Sequence, residues 1–404
     1  MDMARVLVTD GHFRKTLAVV RSLGRKGISV TVGERTFLNT SFLSKYCARR
    51  LIYPSPRRSP DQFVEFLLTE IKKNHYHCLF PMEEETLLLL AKHHSEISQH
   101  TYLLSPDLKK IEFVRDKRNL IQFAEAHGIP TPKTYDIPPP SSSPSRGEAG
   151  SSPLPWEEKG RGIPFPVVIK PRISSGGFGI VYVKKKEDLI CSYQSVHERY
   201  PFPIIQDWIP DGGGTFGFAA LFDEASNIKA AFIHKKLRMY PIQGGPSTLR
   251  EGVEHPQIME LGLSLLKSLN WVGVGMAEFK VDPRDGVPKL MELNPRFWGS
   301  LQLAIISGVD FPYLILRMAR RESFEPVLHY EVGKRCRWLL LGDILHFLNH
   351  PNRFHLHPSF FHFFDPNTSY DIISKDDPLP LLGSVATFFT FLYDPEMKRF
   401  LERR

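Results

Sequence analysis

The sequence predicts a two-part architecture, α/β and then α+β. An open parallel α/β domain spans about the first 105 residues, and a region built around two hairpins follows it. Three observations carry this. Short apolar strand patterns alternate with amphipathic helix patterns at the N-terminus, as in βα units. A glycine-rich turn separates two strand patterns within residues 166–183. A second strand pair, residues 273–281 and 289–294, flanks the turn DPRDGVP and carries two glutamates.

The elements follow in order. Residues 4–9 (ARVLVT) read as a buried parallel strand, 13–24 as a helix, 28–32 as a second strand and 51–53 as a third. Residues 60–74 form an amphipathic helix with Phe63, Phe66, Leu67 and Ile71 on one face; 78–81 is a short strand and 83–94 a helix. The first turn, Asp10-Gly11-His12, lacks G-x-G-x-x-G, which argues against dinucleotide binding there. Residues 107–128 read as one helix stopped by Gly128 and Pro130. Six Pro, six Ser and four Gly among the 27 residues 137–163 cannot support a core, so this stretch reads as a disordered insertion. Strands resume at 166–170, 180–184, 204–209, 216–222 and 229–235. A helix at 256–269, the glutamate hairpin and a helix at 311–321 complete the pattern.

Composition narrows the function classes. A chain of 404 residues with 42% hydrophobic and 24% charged side chains is ordinary globular usage, which excludes global disorder and a fibrous chain. The net charge is +8, and the first 60 residues hold twelve basic and three acidic side chains. That balance suits a phosphate-bearing ligand or a membrane surface, and without a dense Lys/Arg run no nucleic-acid partner is expected. Cys47, Cys78, Cys191 and Cys336 stand apart from one another, with neither zinc nor redox spacing, which fits a reducing, cytoplasmic setting. The start MDMARVLVTDG does not read as a signal peptide, and no apolar run of about 18 residues reads as a spanning helix.

Two motifs carry chemistry. In PVVIKPRISSGGFGIVYV, Lys170 closes a strand, and Gly176, Gly177 and Gly179 leave backbone N–H groups free to converge on an anion, with Ser174 and Ser175 as hydroxyl donors. This is not a Walker A loop, because no Gly-Lys-Ser/Thr opens a helix; it reads as a hairpin flap over a triphosphate, or as an ordinary glycine hairpin. In GMAEFKV and KLMELNPR, period-two alternation puts Glu278 and Lys280 on one face, and Leu290, Glu292 and Asn294 together on one face. A hairpin centred on Asp285 sets Glu278 opposite Glu292, give or take one residue. Opposed carboxylates repel unless a cation lies between them, so Glu278, Glu292 and Asn294 read as a Mg²⁺ platform.

With these residues in place, the chain resembles the ATP-grasp superfamily over about residues 4–320. The closest resemblance within it is to the carbamoyl-phosphate-synthase-like carboxylate–amine ligases. The resemblance implies an ATP-grasp fold behind an N-terminal open parallel α/β (pre-ATP-grasp) domain, residues 1–105. A small subdomain with the glycine flap would take 106–136 and 164–205, a large subdomain 206–325, and a C-terminal extension rich in aromatics and histidine 326–404. It also implies that Lys117 and Lys170 contact ATP phosphates and that the backbone of Gln206, Asp207, Trp208 and Ile209 holds adenine. Gln206 stands where the family usually has Glu, and its amide oxygen can still accept from the adenine amine. The metal triad is matched by Glu278, Glu292 and Asn294, and Arg296 matches the residue that steadies the transferring phosphoryl group. Asp211 is a weak candidate for the ribose acid.

A basic run at 234–248 adds Lys236 and Arg238, alternating on one strand face toward the γ-phosphate or a carboxylate substrate. Arg250 follows the Gly244-Gly245 loop. No acid follows Asn-Pro-Arg where biotin-carboxylase-like members carry one, and no Met-Lys-Met biotin carrier or duplicated half is present. Six of the sixteen histidines fall within residues 329–362 without metal-ligand spacing. The uncharged segment 378–393 either packs on the ligase core or lies in a membrane interface. The expectation is an ATP- and Mg²⁺-dependent ligase that activates a small-molecule carboxylate as an acyl phosphate and joins it to an amine. The alternatives are a phosphotransferase acting on a hydroxyl and a nucleotide-binding scaffold at a membrane.

Overall fold

In the computed structural model, residues 4–135, 162–174, 176–394 and 396 are described. The insertion expected at 137–163 therefore lies almost wholly outside the described residues, as does Ser175.

Arg5–Val8 (β1) is apolar after its first residue because both its faces are covered. Helix Arg14–Gly24 (α1) packs on one side and buries Leu17, Ala18, Val19, Val20 and Leu23. Ser29–Glu34 (β2), Cys47–Ile52 (β3), helix Pro60–Asn74 (α2), Cys78–Phe80 (β4) and helix Glu84–Lys92 (α3) follow. The sheet is parallel in the order β3-β2-β1-β4. Proline at the start of α2 sets its N-terminus, and the left-handed His75 (φ 46°) ends it. Its buried face is Phe63, Val64, Leu67 and Ile71, so the predicted stripe is present with Phe66 at its edge.

The single helix expected at 107–128 is two. After His94–Ile97 (α4), Leu108–Arg115 (α5) stops at Asp116, and Lys117–Ala126 (α6) begins. Asp116 leaves the helical region (ψ 107°), its carboxylate accepts from the Arg118 N–H at 3.0 Å, and Arg172 grips it from the glycine-loop side. An N-cap carboxylate inside an apolar periodicity breaks the helix without interrupting its stripe, which is why periodicity alone runs the two together.

Thr134–Tyr135 (β5), Val167–Lys170 (β6), Val181–Val183 (β7), helix Leu189–Arg199 (α7) and Ile204–Asp207 (β8) build a small sheet in the order β5-β8-β6-β7. A boundary at 205/206 would cut β8, which pairs with both β5 and β6. Thr215–Phe222 (β9), Ile228–Met239 (β10), Ser247–Gly252 (β11), helix Pro256–Ser268 (α8), Gly273–Val281 (β12) and Pro288–Asn294 (β13) form most of a seven-stranded sheet. After helices Leu301–Ile306 (α9) and Phe311–Ala319 (α10), Arg335–Arg337 (β14) and Thr368–Tyr370 (β15) complete it, in the order β13-β12-β9-β10-β11-β14-β15. Residues 335–370 are thus built into the large sheet through Leu249–Arg337 and its neighbours.

One face of the large sheet buries Phe218, Ala231, Ala277 and Phe279 against α6 and α8. The other buries Ala219, Phe232 and Met276 in one core with Val6, Val8, Ala18 and Val20 of the N-terminal sheet and helix. Shared apolar burial therefore joins the two regions.

The C-terminal extension is pinned by buried ion pairs. Arg21 donates to Asp377 at 2.8 Å, Arg250 pairs with Asp371, and Arg238 and Arg337 both hold Asp343 at 2.7 and 2.6 Å. Beyond helix Ile344–Asn349 (α11), helix Pro380–Tyr393 (α12) sets Gly383 against the backbone of Asn39 and Thr40. This favours packing for 378–393, with Leu379, Leu382 and Val385 facing outward. Among the described residues no helix is long and apolar enough to cross a membrane.

Candidate active site

The site is assembled where the glutamate hairpin faces the small sheet. The hairpin turn is set by Asp282, which is buried and accepts from Arg284 and Lys289, and by Gly286 at φ 73°. These bonds fix the register so that Glu278 lies directly opposite Glu292, while Asn294 lies opposite Met276. Strict alternation fails one step on. The pairing shifts between Glu278 and Phe279, a bulge, so Phe279 faces Leu290. Leu290 and Leu293 therefore enter the same core, although alternation puts Leu290 with the acids. The bulge keeps both glutamates on the site side without exposing a leucine.

Cations and donors ring these acids. Lys236 Nζ bonds Glu278 at 2.5 Å and reaches the Gly245 carbonyl at 3.5 Å. Asn294 Nδ2 donates to Glu292 Oε1 at 3.0 Å. Lys117, placed at the start of α6 by the Asp116 break, donates to the Ser174 carbonyl at 2.7 Å and contacts its hydroxyl at 3.3 Å. Lys170 donates to Gln206 Oε1 at 2.9 Å, and Gln206 Nε2 donates to Thr134 Oγ1 at 3.0 Å. A crevice is lined by Lys117, Ser174, Glu292 and Asn294 together with Glu84 and Arg115 of the N-terminal half.

The electrostatics split the acid pair. Burial, aided by Glu292, pushes Glu278 above the usual carboxylate range against the pull of Lys236. Burial works on Glu292 in the same direction, but Lys117, the Asn294 bond, Lys236 and Arg296 outweigh it and hold Glu292 below that range. Lys170 is pushed down to about 8, by burial first and then by Lys117. Two buried lysines beside two half-buried acids suit a ligand that brings negative charge to the lysines and positive charge to the acids.

The glycine loop closes on its own counterpart. Gly176, Gly177 and Gly179 all have positive φ (69°, 80° and 73°). A Cβ on Gly177 would lie 2.5 Å from the Gly244 carbonyl, so only glycine lets these two backbones meet. Tyr182 latches the contact by donating to the Gln243 carbonyl at 2.8 Å.

Other expected residues sit differently. Arg238 is buried and spent on Asp343 and the Pro358 carbonyl, away from Glu278. A shift in the β10–β11 pairing between Lys236 and Arg238 breaks the alternation that would have aligned them. Gln206 is fully buried with its oxygen committed to Lys170, so it orients that lysine rather than presenting a free acceptor. The N–H groups of Asp207 and Trp208 are already donated to the Lys133 and Pro166 carbonyls, and the Asp207 carboxylate holds the Tyr135 hydroxyl at 2.6 Å. Ile209 is buried. Asp211 is exposed and pairs with Lys280 at 2.8 Å. Arg296 donates to the Phe297 carbonyl at 3.0 Å, and its buried Nε has no hydrogen-bond partner among the described residues, with Glu84 Oε2 4.0 Å away.

Lys15, Glu83 and Glu84 escape sequence reasoning. Lys15 bonds Glu83 at 2.7 Å and the Phe297 carbonyl at 3.0 Å, beside Arg296. Burial, then Arg296, lowers it to about 8. On the sequence it is one more lysine in an apolar helix; only the packing of α1 on the large sheet brings it here.

The paired sheets, the glycine flap between them and the glutamate hairpin define the class of fold: the chain has an ATP-grasp fold. Residues 238–339 match the family model described as ATP-grasp in the biosynthetic pathway with Ter operon. The chain is 24% identical over 213 residues to the carbamoyl phosphate synthase large chain of Sulfurisphaera tokodaii, covering 50% of this chain and 19% of that one. It is similar in fold to the biotin carboxylase domain of Hydrogenobacter thermophilus 2-oxoglutarate carboxylase, solved with MgADP, ADP and bicarbonate. That match has TM-score 0.62 and 16% identity, covering 83% of this chain and 74% of that one. The L-amino acid ligase of Bacillus licheniformis is similar in fold at TM-score 0.57 and 15% identity, covering 78% and 74%.

Proposed function

We propose that this protein is an ATP-dependent ligase that activates a carboxylate as an acyl phosphate and joins it to an amine, releasing ADP and phosphate. The observation that carries the proposal is Glu278 opposite Glu292, with Asn294 bonded to Glu292 and three lysines around them. The donor set fits magnesium: two carboxylates and an amide are hard oxygen ligands, and burial with the facing Glu292 raises Glu278 even though Lys236 lies beside it. Glu278, Glu292 and Asn294 would hold the ion, which when bound neutralises phosphate charge.

The chain's own residues do the rest. Lys117 and Lys170 balance the triphosphate. The glycine loop, latched by Tyr182, excludes water from the phosphates. Arg296 offers its buried Nε, 4.0 Å from Glu84, to charge developing on the transferred group, and Lys15 adds positive charge beside it. A substrate carboxylate oxygen attacks the γ-phosphorus and ADP leaves. The amine nitrogen then attacks the acyl carbon and phosphate leaves. The substrates are small molecules, approached through the crevice between Glu84, Arg115 and the hairpin.

The test is ADP release across mixtures of carboxylates and amines with Mg-ATP. Release that requires both partners supports the ligase. Release with a hydroxyl compound and no amine would indicate a phosphotransferase instead.

A further inference from the structure

The connection between β14 and β15 of the large sheet carries a surface that the active site does not use. From Ile344 to Phe364 the chain has six phenylalanines, five histidines and one arginine, and no aspartate or glutamate. Five of the phenylalanines form one continuous array: Phe347 meets Phe354, Phe360 and Phe361 at ring distances of 5.6, 4.2 and 5.5 Å, and Phe360 meets Phe363 at 5.5 Å. The buried members tie the array to the fold, because Arg337 lies over the Phe360 ring. Its outer members and their neighbours face solvent: Phe354 is 67% exposed and Phe361 54%, and beside them in the chain Phe364 is 98% exposed and Leu348 56%.

Four large apolar side chains on one loop system are too many for scattered surface hydrophobes. We propose that this face docks on an anionic phospholipid bilayer. The charge pattern selects that occupant. Arg353, His355, His357 and His362 are exposed around the apolar tips. The acids that flank the segment are consumed, Asp343 by Arg238 and Arg337 and Asp365 by Thr368 and Arg335. A second copy fits poorly, since a two-fold interface would set this acid-free patch against itself and bring Arg353 and the histidines together unpaired. A nucleic-acid strand also fits poorly, because one arginine gives little purchase on a phosphate backbone. A lipid surface supplies an apolar layer for the phenylalanines and negative headgroups for Arg353.

The inference is independent of the ligase reading. Its test is sedimentation of the full chain with vesicles of phosphatidylglycerol and phosphatidylcholine, against vesicles of phosphatidylcholine alone. The protein should sediment with the anionic vesicles. The combined change Phe354→Ser, Phe361→Ser and Phe364→Ser should lower the bound fraction at least tenfold. Arg353→Glu should lower it severalfold. Light scattering and thermal melting of the same variants should show an unchanged mass and a retained fold, since the buried Phe360 stays in place. Several results would overturn the proposal: wild-type protein left in the supernatant with both vesicle types, or equal binding by the triple variant. So would loss of binding in Leu382→Ser alone, which would place the contact on the other exposed stripe. A dimer abolished by the triple variant would assign the face to a second copy, and binding to single-stranded DNA in place of vesicles would assign it to nucleic acid.

Discussion

Glu278 and Glu292 face each other across a two-stranded hairpin, yet their carboxyls are held on opposite sides of the ordinary acid range. The asymmetry comes from their neighbours: Glu278 has one lysine at 2.5 Å, while Glu292 has an amide bond and the fields of Lys117, Lys236 and Arg296. If the pair is a metal platform, Glu292→Gln should keep the fold and lose the magnesium-dependent part of the thermal shift with ATP. ADP release should fall by about a thousandfold or more, the scale on which charge stabilisation operates in such sites. Wild-type turnover in this variant would remove the metal assignment.

Lys170 gives a pH prediction. Its folded value is about 8 against an ordinary 10.5. Between those values the unfolded chain binds more protons than the folded one, so this group's contribution to stability rises with pH across that window. Below pH 8 both states are protonated and the full cost of the buried charge is present. Lys170→Met should therefore stabilise the ligand-free protein most at pH 7, with the gain shrinking toward pH 10. Binding of a triphosphate should restore the charge, so titration at pH 8 in buffers of different ionisation enthalpy should show proton uptake in the wild type and less in the variant.

The flap contact can be loosened by degrees. Tyr182→Phe removes one hydrogen bond to the Gln243 carbonyl, about 1 kcal/mol. It should raise the KM for ATP by about fivefold through a less populated closed state. Gly177→Ala should do more, because its Cβ meets the Gly244 carbonyl at 2.5 Å and its φ is +80°. Protease cleavage within 173–181 should be faster in both variants, and equal rates would count against the clasp.

Arg238 separates a catalytic from a structural role. Its guanidinium shares buried Asp343 with Arg337, so Arg238→Met should cost about 2 kcal/mol in chemical denaturation. Turnover of the protein that remains folded should change little. A loss of turnover without a loss of stability would restore the catalytic reading.

Arg21 tests how the C-terminal extension is held. It donates to Asp377 and to the carbonyls of Asp371 and Ile372 while almost fully buried. Arg21→Ala leaves Asp377 buried without its cation and should cost about 3–5 kcal/mol. Replacing both residues, as in Arg21→Met with Asp377→Leu, should recover much of that loss.

What could be read along the chain was local. Periodicity over residues 60–74 marks a helix because the period of burial is written in successive side chains. Glu278 and Glu292 are legible for the same reason: a tight turn ties their separation to their pairing. The resemblance to ATP-grasp proteins rests on those hairpin residues and on the order of the motifs. By contrast, the bulge at Phe279, the helix break at Asp116 and the diversion of Arg238 to Asp343 are decided by partners far away in sequence. Asp116 is gripped by Arg172 and Arg238 by Asp343, and neither pairing leaves a periodic trace.

The amino-acid sequence therefore determined the fold class, most of the succession of strands and helices up to about residue 320, and the acid pair, because each is written in residues close together along the chain. Only the tertiary structure decided which cations share the crevice with those acids. It brought Lys15 and Glu84 from the first domain to the hairpin, turned Gln206 toward Lys170 and set Gly177 on Gly244. The physical reason is that burial sets both the packing partners and the charge of a side chain, and burial belongs to the packed whole rather than to any stretch of it.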